Sequence, residues 1–219
     1  MTAAPERSAA EPVFDLSGGV LCLDFVNTLG NRAGPEPLEE RLERYDDLVG
    51  FARQSGALDG TEARRLREAA RARPPAAAAM LARAVSLREV LHAIFGALAA
   101  GNRPVERDLA GLNAELAPAL AHARLARGDG GYTLTWDAAP ADAGAGGIPL
   151  DRPLWPIAHS AMQLLLEADL SRVGECGSDT CGFLFLDTTR NRSRRWCDTR
   201  ICGNRARVRR HRRRMADGE

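Results

Sequence analysis

Four of the five cysteines in this 219-residue chain form two C-x4-C pairs, Cys176 with Cys181 and Cys197 with Cys202, separated by fifteen residues. Equal short spacing lets each pair turn back and aim two thiolates at one ion. The intervening loop then brings the second pair around, which is the geometric need of a tetrahedral zinc site. Four thiolates close the coordination shell, so the expected role of a single Zn2+ here is structural. Gly182 follows Cys181 and suits the turn of a zinc knuckle, because glycine takes positive φ without cost. Phe183 to Leu186 read as a short strand, and Trp196 stands ready to cover the site. Two disulfides are the alternative, and they would need an oxidising compartment. His211 is a substitute ligand in principle, but four cysteines already suffice.

Arginines surround this module. Arg205, Arg207, Arg209, Arg210, Arg212, Arg213 and Arg214 follow the last cysteine with no acidic residue among them. Arg190, Arg192, Arg194 and Arg195 supply a second basic patch on the loop before Cys197. Val208, His211 and Met215 recur at helical spacing, so the sequence predicts a basic helix with that stripe laid on the zinc module. Unrelieved like charge is more readily tolerated when a polyanion binds, and guanidinium matches phosphate through a planar fork of donors. DNA is the expected partner. RNA, or an acidic protein partner, could use the same arginines. An anionic membrane fits less well, because the helix lacks a broad apolar face.

The segment resembles the CGNR zinc finger, named for the residues that stand here as Cys202-Gly203-Asn204-Arg205. The order of the C-x4-C pair, Phe185 and Asp187 at a strand end, the Arg/Asn loop, Arg195-Trp196-Cys197 and the basic helix is similar to that family. The stretch Gly18 to Thr28 resembles the ABATE domain that usually precedes it. The resemblance implies zinc binding, DNA binding and transcription control, with the N-terminal body as sensor or dimerisation domain.

Charge is segregated along the chain. From Ser171 onward there are thirteen arginines and six acids, a net of +7 against +1 overall, which leaves the body at −6. Because all thirty basic residues are arginine, arginine in place of lysine is not informative at any one position. Residues 1–12 are small and polar, read as a disordered terminus with no signal-peptide core. No stretch approaches the ~20 apolar residues of a membrane helix. The expected location is the cytoplasm, whose reducing conditions favour zinc over disulfides.

The fold class expected is mainly α (α+β): a helical domain over 13–170 with a small β-hairpin, then a four-cysteine zinc module with its basic helix over 171–215. Helices are predicted from Leu38 to Ala52, from Thr61 (as cap) to before Pro74, from Ala76 to Ala99, from Val105 through a break at Pro118, and from Leu154 to Leu170. A short strand is predicted at Phe14–Leu16. A hairpin is predicted around Gly128 to Gly131, with Tyr132, Leu134 and Trp136 on one face. Ala138–Gly147 reads as a loop. Within the apolar run Val20–Leu29, Asp24, Asn27 and Thr28 are either a ligand pocket for a small-molecule effector or hydrogen-bonded fixtures of a buried element. Cys22 is expected in the core. A homodimer is compatible with the chain, but no coiled-coil seam marks one. No phosphate-binding glycine motif, nucleophile elbow or His/carboxylate pairing at metal spacing occurs, so an enzyme is not expected.

Overall fold

The computed structural model describes residues 12–128, 130–136 and 147–216. Residues 1–11 of the expected disordered terminus, and most of the expected loop Ala138–Gly147, lie outside the described residues. The architecture is mainly helical, with three two-stranded antiparallel sheets.

At its centre is α1 (Leu21–Val26), where Cys22, Leu23, Phe25 and Val26 are all buried. An element that buries five of its six side chains has to be enclosed on most sides. Accordingly α4 (Pro74–Ala99), α6 (Leu154–Glu167) and the finger strand β6 (Leu184–Leu186) all pack on α1. The core face of α4 is Leu87, Leu91, Ile94 and Phe95, as its periodicity predicts. Pro74 and Pro75 begin α4, where a missing N–H costs nothing. Next, α5 (Glu106–His122) runs straight through Pro118. Leu116 and Ala119 on either side of the proline are buried, so packing holds the helix past the expected break.

Two helix starts differ from the sequence reading. Leu38 does not begin a helix: it is 61% exposed, and Glu39–Glu40 form β2, paired with β1 (Leu29–Gly30). The next helix, α2, starts only at Tyr45 (Tyr45–Gln54). Glu40 is drawn from helical register by Arg88, which is buried on α4 and donates to both its carboxylate oxygens at 2.6 and 2.7 Å. For α3 (Gly60–Ala72) the cap is Asp59 rather than Thr61. Its carboxylate accepts from the backbone of Thr61 and Glu62, and the Glu62 carboxylate accepts in return from the Asp59 N–H. Phe14–Leu16 forms no strand and pairs with none among the described residues.

The hairpin forms as expected, from β3 (Ala123–Gly128) and β4 (Gly131–Trp136). Trp136 anchors it against Trp155 and His159 of α6, with ring centroids 6.5 and 5.5 Å away.

The finger is docked onto the body through backbone. Its first strand, β5 (Val173–Glu175), pairs with β6. The Asn27 amide then acts as a further strand residue: its Oδ1 accepts from the Leu184 N–H, and its Nδ2 donates to the Leu184 carbonyl, both at 2.9 Å. The N–H of Leu186 donates to the Gly18 carbonyl at 2.8 Å, and that of Arg32 to the Cys181 carbonyl at 3.2 Å. Asn27 is 2% exposed, so removing its amide strands a buried donor and acceptor. Asn27→Ala is expected to lower the unfolding free energy of the whole chain by about 2–4 kcal/mol. Urea titration checks this; a change within about 0.5 kcal/mol, the scale of a neutral surface substitution, would show that the amide does not hold the two parts together.

Candidate metal centre and basic surface

Each cysteine is placed by a backbone device. Cys176 leaves β5 and its N–H donates to the Phe183 carbonyl. The chain then turns, with the Cys181 N–H donating to the Ser178 carbonyl. Gly182 has φ +71°, and a Cβ there would come within 2.8 Å of the Arg32 Cβ. Glycine is therefore required both for the knuckle turn and for its contact with the body. The second pair rests on Asp198. Its carbonyl accepts from Cys202 and Gly203, and its carboxylate accepts from the Arg200 N–H.

The four sulfur atoms lie within 4.8 Å of one another, with 3.6 Å between Cys181 and Cys197 and between Cys197 and Cys202. A tetrahedron with zinc–sulfur bonds of about 2.3 Å has sulfurs about 3.8 Å apart. A disulfide needs about 2.05 Å, and all five cysteines are free. The donor set therefore fits zinc and does not fit two disulfides. With thiols alone, the Cys176 sulfur is held well below the ordinary thiol range, because Cys181 and Cys197 donate to it. Their own thiols are pushed up by the same bonds. Trp196 packs against the cysteines and over Gly203, whose Cβ would lie 3.2 Å from the indole Cδ1. His211 is exposed on α7 (Asn204–Ala216), and the cluster is made of the four cysteines without it. Cys22 is apart from this chemistry, fully buried with its thiol pushed up to about 12 by burial.

Residues 19–168 match the family described as "putative stress-induced transcription regulator", ABATE. The chain belongs to the ABATE family. Residues 172–215 match the CGNR zinc finger. No curated protein matches the chain. In this ABATE protein the two matches occur in the order expected from the sequence. The cysteines at the finger's two C-x4-C pairs are those that the fold gathers.

The basic residues divide into two groups. Arg194 is half-buried: its guanidinium lies 4.4 Å from the Phe185 ring centroid and donates to the carbonyls of Ser17, Leu186, Trp196 and Cys197. It is a crosslink between finger and body, not a free contact. Arg192 pairs with Asp169 at 2.6 Å, and Arg209 turns toward Ser178 and Asp179. By contrast Arg190, Arg195, Arg205, Arg207 and Arg212 are exposed, with no ion pair to a described residue. The side chains of Arg210, Arg213 and Arg214 lie outside the described residues. Arg200, which the sequence reading passed over, is exposed beside this group. The predicted apolar stripe of α7 is corrected: Val208 is 41% and Met215 67% exposed, so the helix lays Arg209, not Val208, toward the finger.

Asp24, Asn27 and Thr28 are buried, and each is hydrogen-bonded. Asp24 accepts from the Gly18 N–H at 2.7 Å, Asn27 holds Leu184, and the Thr28 hydroxyl donates to the Phe25 carbonyl and accepts from Arg88. A network unseen in the sequence lies beside them. Arg88 pairs with Glu40 and Glu89, and Arg32 grips Glu89 with two bonds of 2.8 and 2.9 Å. The same Arg32 backbone touches Cys181, so charged groups connect the α4 core to the knuckle. Glu89 is held down to about 2, burial being outweighed by these two guanidinium groups.

Two measurements test the site. Structural zinc contributes about 10–16 kcal/mol to such modules, comparable to the whole stability of a domain. Chelation is therefore expected to unfold residues 173–216 and to lower the Tm of the body, since β6 packs on α1. Differential scanning calorimetry with and without chelator checks this, and an unchanged thermogram would refute it. Burial also raises Asp24 to about 6, above the ordinary ~3.9. A raised carboxyl binds its proton more tightly when folded, so its contribution is fully present below pH ~4 and is lost as pH rises to about 6. Asp24→Asn keeps the acceptor for Gly18. It should match wild type near pH 4 and gain up to ~2–3 kcal/mol relative to it by pH 7. A wild-type-minus-variant difference flat in pH would exclude this.

Proposed function

We propose that this chain is a DNA-binding transcription regulator in which one structural zinc ion fixes a basic surface on an acidic helical body. The observation that carries the reading is the set of exposed arginines without described ion-pair partners on an element seated directly on the cysteine cluster. Four thiolates leave no open coordination position, which supports a structural rather than catalytic ion. Phosphates are the matching partner for so many unpaired guanidinium groups, and on this reading a few of them read guanine edges in a major groove. The ABATE match supports the regulatory assignment, and a non-enzymatic role follows from the same reading. Among the described residues no helix is long and apolar enough to cross a membrane; a cytoplasmic location goes with DNA as partner. The body is then the place for an effector or for a second copy. An effector can act only if it binds the DNA-competent and incompetent states unequally.

RNA is the second reading, because the arginines themselves do not discriminate. The finger offers Trp196 alone for stacking, which favours duplex DNA over single strands. Fluorescence anisotropy over a salt series, with labelled duplex DNA, duplex RNA and single strands, tests both. Zinc-loaded protein is expected to prefer duplex DNA. Replacing Arg205, Arg207 and Arg212 together by alanine should lower the log–log salt slope by up to about 0.9 for each phosphate no longer neutralised. No binding to DNA even at low salt would sink the proposal.

A further inference from the structure

Beside α7 the finger carries a groove of about 630 Å³. Its floor is Trp196 and Cys197, and its rim carries Arg195 and Arg200. Arg195 sits 5.6 Å from the Trp196 ring centroid, a cation–π distance that holds its guanidinium at the edge. The Arg200 side chain is 91% exposed. Ser193 and Thr199 add exposed hydroxyls. Asp198 is the carboxylate in the lining. Its carboxylate accepts from the Arg200 backbone N–H at 2.6 Å and from the Arg200 guanidinium at 3.4 Å.

We propose that this groove seats a sugar–phosphate stretch of one nucleic-acid strand. The proposal rests on the nucleic-acid reading above and deepens it, by naming the surface that fixes register ahead of α7. The chemistry matches the ligand: an aromatic face for the sugar, and hydroxyls and guanidinium groups for phosphate oxygens. Continuity with the helix is built in. The Trp196 ring abuts Gly203, and α7 begins one residue later. A strand leaving the groove therefore meets the positive end of the helix dipole and then Arg205 and Arg207. Contacts of this kind position a protein without reading sequence, so their removal should be felt equally on every duplex.

The test uses the full zinc-loaded chain and two labelled duplexes of unrelated sequence. Arg195→Ala and Arg200→Ala should each lower affinity for both duplexes by the same factor and reduce the salt slope by about 0.9. Ser193→Glu, which puts a carboxylate on the groove wall, should weaken binding of both by about tenfold (some 1.4 kcal/mol). Zinc content and circular dichroism should stay at wild-type values, since these side chains are exposed. Suppose wild type binds and depends on the α7 arginines, yet the three variants keep affinity and slope. The groove assignment is then overturned while the DNA reading stands. Unequal losses on the two duplexes would mean that the groove reads bases, which also overturns it. If wild type binds neither duplex, both readings fall together.

Discussion

Four sulfur atoms within 4.8 Å of one another are the constraint on which the outer half of the structure depends. Thiolates that close repel strongly unless a cation lies between them. The finger has little apolar core of its own: Phe183 and Trp196 are its main large side chains around the cysteines. A segment that small cannot order itself by burial and relies on metal ligation to offset its chain entropy. Once the knuckles are set, the positions of Asp198, Trp196 and the start of α7 follow from backbone bonds of a few residues' span.

The finger is not an appendage on a tether. Asn27 treats Leu184 as a neighbouring strand, Arg194 reaches back to Ser17, and Arg32 touches the knuckle while gripping Glu89. These bonds run between the acidic body and the basic finger in both directions. Through β6 they join α1, buried at the centre of the body, to the finger, and the Arg32 and Arg194 bonds add to that joint. A disturbance of the body core near Asn27 has a short route to the surface that carries the exposed arginines.

Local chemistry was legible from the chain alone wherever one residue type sufficed. The cysteine spacing, the glycine after Cys181, the long apolar face of α4 and the turn glycines of the hairpin each specify a local geometry regardless of what surrounds them. Sequence patterns misled where two distant residues compete for one group. Leu38 and Glu40 fall within a helical pattern, but Arg88, forty-eight residues on from Glu40, claims its carboxylate and leaves a strand. Arg194 looks like its neighbours in an arginine-rich loop, and only the folded chain shows four carbonyls converging on it.

The sequence by itself determined the zinc chemistry, the mainly helical body and the placing of excess positive charge at one end. Those follow from residue type, spacing and periodicity, which are local properties. The tertiary structure alone decided which arginines remain free, because pairing depends on where Asp169, Asp179 and the backbone carbonyls come to rest. It also decided which groups Asp24, Asn27 and Thr28 hydrogen-bond to. A polar group in an apolar run must find a partner, and only the fold supplies that partner's position.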